Sequence, residues 1–182
     1  MATSRSDLLL VTGVPGVGKT TALRRAAAEL APLRPGGFYT EESRQRGARV
    51  GFHLVPWDPE ASRRLLAHVD RAGPPRVGRY GVDVAAVDAV AAATLAPGRA
   101  ELYIVDEIGA MECLSAVFVA AVRALVASGT PLVASVAVRG GGLIAEIKRV
   151  PAAETIGITT ATRDTAPEQI TAWVRSLALP RW

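Results

Sequence analysis

The chain has no asparagine, one cysteine and two lysines, and aromatic residues make up 5% of its 182 positions. Without asparagine it cannot form the Asn-Lys-x-Asp loop by which many guanine-specific GTPases recognise their base, which argues against a dedicated GTP switch. Cys113 alone makes no internal disulfide. With no cysteine or histidine cluster near it, Cys113 makes no metal site either, a pattern that fits a reducing cytosol. So few aromatics leave little from which to build the stacking platforms of single-strand nucleic-acid binders. Long apolar runs are missing as well. Residues 8–11 are far too short for a membrane span, and a glycine-rich turn follows them where a signal peptide would continue its apolar region. A cytoplasmic protein without membrane contact is expected.

What is present is basic and apolar together. The net charge is +4 and 49% of residues are hydrophobic, enough to bury one core, so a single domain over residues 1–182 is expected. The positive charge comes from nineteen arginines scattered along the whole chain. Scattered charge of this kind reads as a solvated surface before it reads as a nucleic-acid groove, so a nucleic-acid partner is left open but not indicated. The oligomeric state is also left open, with a monomer slightly favoured.

Short apolar runs bounded by turn residues recur at 8–11, 102–105, 131–138 and 155–159 and read as buried parallel strands. Helical periodicity lies between them at 19–30, 58–69, 82–96 and 115–127, with a last helix after Thr165. Asp58 followed by Pro59 predicts a helix start, Thr165 with Glu168 a capping box, and Gly129 a helix end. Alternating strands and helices imply an α/β fold in three layers around a mainly parallel sheet. One stretch breaks the rhythm: residues 37–40, a polar tip over 41–49 and residues 50–55 predict an inserted β-hairpin. Residues 71–81 (RAGPPRVGRYG) predict a cationic loop.

Residues 13–20 read GVPGVGKT, the spacing G-x-x-x-x-G-K-[ST] placed between a predicted strand and a predicted helix. Glycines at Gly13, Gly16 and Gly18 let backbone amides turn inward and form a nest for phosphate oxygens at a helix N-terminus. Candidate nucleotide-binding residues are therefore Gly13, Val14, Pro15, Gly16, Val17, Gly18, Lys19, Thr20 and the adjacent Thr21. Lys19 would reach the β and γ phosphates, and the Thr20 hydroxyl would ligate Mg²⁺.

A phosphate cradle of this type needs an acidic partner for its metal. The run 102–105 delivers Asp106 and Glu107 at its end, the Walker B position. Asp106 would hold Mg²⁺ with Thr20, and Glu107 would orient or deprotonate the attacking water. The structural alternative is that one of the two caps the next helix or pairs with an arginine. Gly109 completes an Asp-x-x-Gly spacing. Arg163, in the TATRD run 160–164 near the predicted strand ends, could stack on any base. Arg79 and Tyr80 could close over the triphosphate, Arg79 acting as an arginine in cis. Ser135 could sense the γ-phosphate, with Arg139 following it into the turn at 140–142. His53 and His68 read as structural.

These motifs together resemble the cancer-related nucleoside-triphosphatase family, the THEP1-type enzymes. The resemblance spans nearly the whole length and rests on GVPGVGKTTALRR at 13–25, GFYTEE at 37–42, RVGFHLV at 49–55, VGRYGVDV at 77–84 and DEIGAMECLS at 106–115. It implies a RecA-like P-loop NTPase fold and slow, Mg²⁺-dependent hydrolysis of ATP, GTP, CTP and UTP with little base preference. It also places Glu41 and Glu42 as pocket residues. The chain departs from the family pattern at Ala110, where many members carry lysine, and at Thr162, where many carry asparagine. Two other readings share the same cradle. One is a nucleotide or nucleoside kinase with an arginine-rich lid over 71–79, and the other is an RNA-linked, nucleotide-gated binding module.

Overall fold

A computed structural model describes residues 7–177 and 179. Nine strands form one sheet: β1 (Leu8–Thr12), β2 (Gly36–Gln45), β3 (Ala48–Pro56), β4 (Arg64–His68), β5 (Arg76–Val77), β6 (Tyr80–Val82), β7 (Tyr103–Ile108), β8 (Leu132–Val136) and β9 (Glu154–Gly157). Their order is β5-β6-β4-β3-β2-β7-β8-β1-β9. From β2 to β9 every neighbour pairs in parallel. From β2 outward to β5 every pairing is antiparallel. Among the described residues five helices cover the sheet: α1 (Lys19–Glu29), α2 (Val84–Thr94), α3 (Ala116–Ser128), α4 (Leu143–Ile147) and α5 (Ala166–Arg175). Among the described residues no helix is long and apolar enough to cross a membrane.

Strand alternation divides the core between the two faces. Leu8 and Leu10 of β1, Tyr103 and Val105 of β7, and Leu132 and Ala134 of β8 meet α2, α3 and α4. The intervening Leu9, Val11, Ile104 and Val133 meet α1 and α5. Side chains of period two in a strand, buried on both faces, make continuous apolar runs necessary, which is why these segments read as parallel strands in the sequence. Helix ends follow local chemistry. Asp83 caps α2 by accepting from the Ala86 amide at 3.2 Å, and Ser115 caps α3 by accepting from the Phe118 amide at 2.9 Å. Gly129 ends α3 at φ 67°, a left-handed position that suits a residue without Cβ.

The antiparallel half departs from expectation. The strands of the expected hairpin take up most of its polar tip, leaving the turn at Arg46 and Gly47, and β3 then pairs with β4 where a helix over 58–69 was expected. Asp58 accepts from the Glu60 amide at 3.0 Å, and its carbonyl accepts from the Ala61 amide at 3.1 Å, but this single turn does not propagate. Beyond it, residues 64–68 lie between β3 and β6 and exchange backbone hydrogen bonds with them, long-range pairing that overrides a weak helical pattern. The 71–81 loop contains the short hairpin of β5 and β6. The capping box at α5 does not form: the Thr165 hydroxyl donates to the Thr162 carbonyl at 3.1 Å instead, because a turn enters the helix from 162. Neither α4 nor the 3-10 turn at Glu112–Leu114 was expected.

Phe118 of α3 and Phe38 of β2 are fully buried, with ring centroids 6.1 Å apart. Replacing Phe118 with alanine should cost about 3–5 kcal/mol, read as a lowered midpoint in urea denaturation. A loss below about 1 kcal/mol would contradict the packing of α3 against the centre of the sheet.

Candidate active site

The site assembles at the carboxyl ends of β1, β7 and β8, where β8 separates the other two. The P-loop leaves β1 and enters α1 through Gly18 at φ 112°, and no side chain caps that helix. The first amides of α1 therefore remain available to an anion, and the helix dipole favours one there. Gly13 allows close approach of the loop to the chain after β9: a Cβ there would lie 2.7 Å from the Ile158 carbonyl oxygen. Val17 anchors the loop in the core, while Val14, Pro15 and Gly16 form its exposed tip.

Lys19 is 9% exposed. Its Nζ donates to the Gly13 carbonyl at 3.0 Å and lies 3.7 Å from Glu107 Oε1. Asp106 is 1% exposed and each of its carboxylate oxygens is occupied. Oδ1 accepts from Ser135 Oγ of β8 at 2.5 Å, and Oδ2 accepts from Thr20 Oγ1 of α1 at 2.5 Å and Thr40 Oγ1 of β2 at 3.1 Å. The β7–β8 register shifts between Val105 and Ile108, where the Asp106–Glu107 peptide is cis. Glu107 is partly exposed, and burial pushes its carboxyl above the ordinary range; Lys19 pulls it back and Asp106 repels it further.

An open cleft of about 440 Å³ joins these groups. Gly16, Gly18, Lys19, Thr20 and Thr21 form one side, and Thr40, Glu41, Glu42, Asp106 and Glu107 the other, with Arg24 and Arg49 contributing cations. A second hollow of about 310 Å³ adjoins it on the far side of Gly18, between Arg25, Arg163 and Asp164. Among the described residues no three His, Cys, Asp or Glu side chains converge into a metal site of their own. The oxygens of Thr20 and Asp106 would supply only part of a coordination shell. That suits Mg²⁺, which is held by one or two protein oxygens together with substrate phosphates. Because Thr20 donates its proton to Asp106, its remaining lone pairs are available to a cation.

A family model described as NTPase matches residues 8–171. The chain belongs to this NTPase family. It is 37% identical over 142 residues to "Nucleoside-triphosphatase THEP1" of Thermotoga sp. (strain RQ2), covering 77% of this chain and 79% of the relative. With the human "Cancer-related nucleoside-triphosphatase" it shares 33% identity over 171 residues, covering 86% and 88%. The crystal structure of THEP1 from the hyperthermophile Aquifex aeolicus matches with a TM-score of 0.80 at 32% identity, over 90% of this chain and 96% of that one. The resemblance drawn from the motifs and the expected α/β P-loop fold are borne out.

Other expected residues of this NTPase lie at varying distances from the cleft. Arg163 borders the hollow beside Gly18. Arg79 lies outside the cleft lining: its guanidinium donates to the Arg49 carbonyl and, at 3.3 Å, to the Tyr80 hydroxyl. Ser135 is fully buried on Asp106, so it positions that carboxylate rather than facing a phosphate. Arg139 is exposed in the turn after β8. His53 and His68 lie on β3 and β4 and line neither the cleft nor the hollow beside it. Thr40 had no distinguishing signal in the sequence, since a threonine in a predicted strand is ordinary.

Glu112 was also missed as a site residue, although a lone acid in the run IGAMECL was the signal. It is 4% exposed and packs closely beside Gly109: a Cβ at Gly109 would lie 2.9 Å from Glu112 Oε2. Burial raises its carboxyl to about 8; backbone hydrogen bonds at Glu112 and Gly109 oppose this, and repulsion from Glu107 and Asp106 adds to it. The folded chain thus holds a proton between pH 4.5 and about 8 that the unfolded chain has released. This contribution to stability is complete below pH 4.5 and is lost progressively as pH rises towards 8. Denaturation midpoints measured across this range should favour Glu112→Gln over the parent increasingly as pH rises. A difference independent of pH would show that Glu112 does not hold that proton.

Proposed function

We propose that this chain is a Mg²⁺-dependent nucleoside-triphosphatase that slowly converts ATP, GTP, CTP and UTP to the diphosphate and phosphate with little base selectivity. The observation that carries this reading is Glu107 beside Lys19 at the mouth of the P-loop, with Asp106 buried behind it and bonded to Thr20. The amides of the loop and Lys19 would bind the phosphates and stabilise charge as it develops on them. Thr20 and Asp106 would hold Mg²⁺ together with the phosphate oxygens. When bound, the ion would neutralise charge on the β and γ phosphates. Glu107 would accept a proton from water as the water oxygen bonds to the γ-phosphorus. The β–γ bridging bond then breaks and its electron pair leaves with the diphosphate.

The ionisation of Glu107 supports its role as base. An entering triphosphate would draw Lys19 away from it and add negative charge nearby, and both changes raise its proton affinity further. Weak base selectivity is supported by the absence of asparagine and by the open hollow at Arg163.

Phosphate release from the four nucleotides with Mg²⁺, with and without nucleoside acceptors, tests the proposal. Glu107→Gln should lower kcat about 10²–10⁴-fold while retaining nucleotide binding, and Lys19→Ala should weaken triphosphate binding as well. Release that depends on an added acceptor or RNA would overturn water activation by Glu107 and favour a kinase or an RNA-linked module.

A pH profile provides an independent check. A base works only when deprotonated, and burial places this carboxyl above its ordinary 4.5. The rate should therefore fall as pH is lowered through a value above 4.5, and Glu107→Gln should remove that acid limb. An acid limb unchanged in the variant would assign it to another group.

A further inference from the structure

A crevice of about 680 Å³ lies between α1, the chain after it and the turn that follows β3. Its volume is in the range of small-ligand pockets, roughly 300–1,000 Å³. Arg24 lines both this crevice and the triphosphate cleft, so the two share a wall. We propose that the crevice is a second binding site for a mononucleotide, with the base against Trp57 and the phosphate between Arg24 and Arg34. This goes beyond the hydrolysis proposed above and does not depend on it.

The ring platform is already assembled. Trp57 is half-buried, and its Nε1 donates to the Ile104 carbonyl at 2.7 Å, which fixes the plane of the indole. Tyr39 packs beside it with ring centroids 4.8 Å apart. The Arg24 guanidinium lies 4.8 Å from the centre of the Tyr39 ring, held at the platform by its charge. A planar base gains stacking on such a surface without ordering it first. Ala27 and Ala28 of α1 add small apolar side chains to the lining.

The charge lining the crevice is unbalanced. Three arginines, Arg24, Arg34 and Arg63, line it against one carboxylate, Asp58. Arg63 is engaged by Glu41 at 3.1 Å. Arg34 is exposed and, among the described residues, makes no ion pair or side-chain hydrogen bond. Arg24 lies over the Tyr39 ring and, among the described residues, makes no ion pair. Two guanidiniums without carboxylate partners next to an anchored indole match a phosphate attached to an aromatic base. The single turn at Asp58, in place of a helix, brings Asp58, Pro59 and Ala61 into the lining of the crevice before the chain enters β4.

Equilibrium dialysis of AMP against Lys19→Ala tests the site with the P-loop disabled. Saturable binding is expected there. Adding Arg34→Ala should weaken it about tenfold or more, and adenosine or inorganic phosphate alone should bind more weakly than AMP. Arg34→Ala in the parent should leave ATP hydrolysis unchanged, which shows that the variant is folded. Trp57→Ala should also weaken AMP binding, but Arg34→Ala remains the decisive variant if loss of the indole disturbs folding. No saturable binding at millimolar AMP, or binding indifferent to Arg34→Ala, would overturn the proposal. Because dialysis does not use turnover, AMP binding with failed hydrolysis would refute only the nucleoside-triphosphatase reading, and the converse only this one.

Discussion

One buried carboxylate organises the working end of this protein. Asp106 lies at the centre of the sheet, where a bare charge would be severely penalised, and it is tolerated because hydroxyls from three different elements donate to it. Thr20 brings the first turn of α1, Thr40 brings β2, and Ser135 brings β8. Each of these elements has its own reason to be near, since alternating apolar side chains fill both faces of the sheet. The hydroxyls add a fixed relative position that apolar packing alone does not impose, because hydrogen bonds have a defined length and direction.

The carboxylates close to this centre differ because their surroundings differ. Glu107 is at the mouth with a lysine for company, while Glu112 lies beneath Gly109 with only backbone donors and two acidic neighbours. Asp106 is the member held by hydroxyls. In the proposed reaction the same functional group would hold a metal ion at Asp106 and accept a proton at Glu107, while at Glu112 burial favours the neutral form. Desolvation and proximity of like charge create these differences with no change of chemistry.

Features whose cause is local were legible in the sequence. The glycines and Lys19 of the loop, the strand delivering Asp106 and Glu107, and the helix end at Gly129 each depend on neighbours along the chain. Features whose cause is long-range were not. Residues 64–68 are a strand because β3 and β6 flank them, and nothing within the segment states that. Thr40 matters because β2 lies beside β7, and Ser135 turned out to face a carboxylate because β8 separates β1 from β7. Arg79 illustrates the same limit from the other side: its loop was correctly read as cationic, but the short hairpin of β5 and β6 ties its guanidinium to the Arg49 carbonyl.

The 3.7 Å contact between Lys19 and Glu107 gives the free protein an internal counterion. Any anion that approaches Lys19 must compete with a carboxylate already in place, so the cleft behaves as an ion exchanger rather than as an open positive trap. A weakly charged anion gains little from the exchange, whereas a polyphosphate can engage the helix amides at the same time and displace the carboxylate. In the proposed reaction the pair would thus set a threshold of charge for entry. It would also supply a returning partner for the lysine once the terminal phosphate had departed.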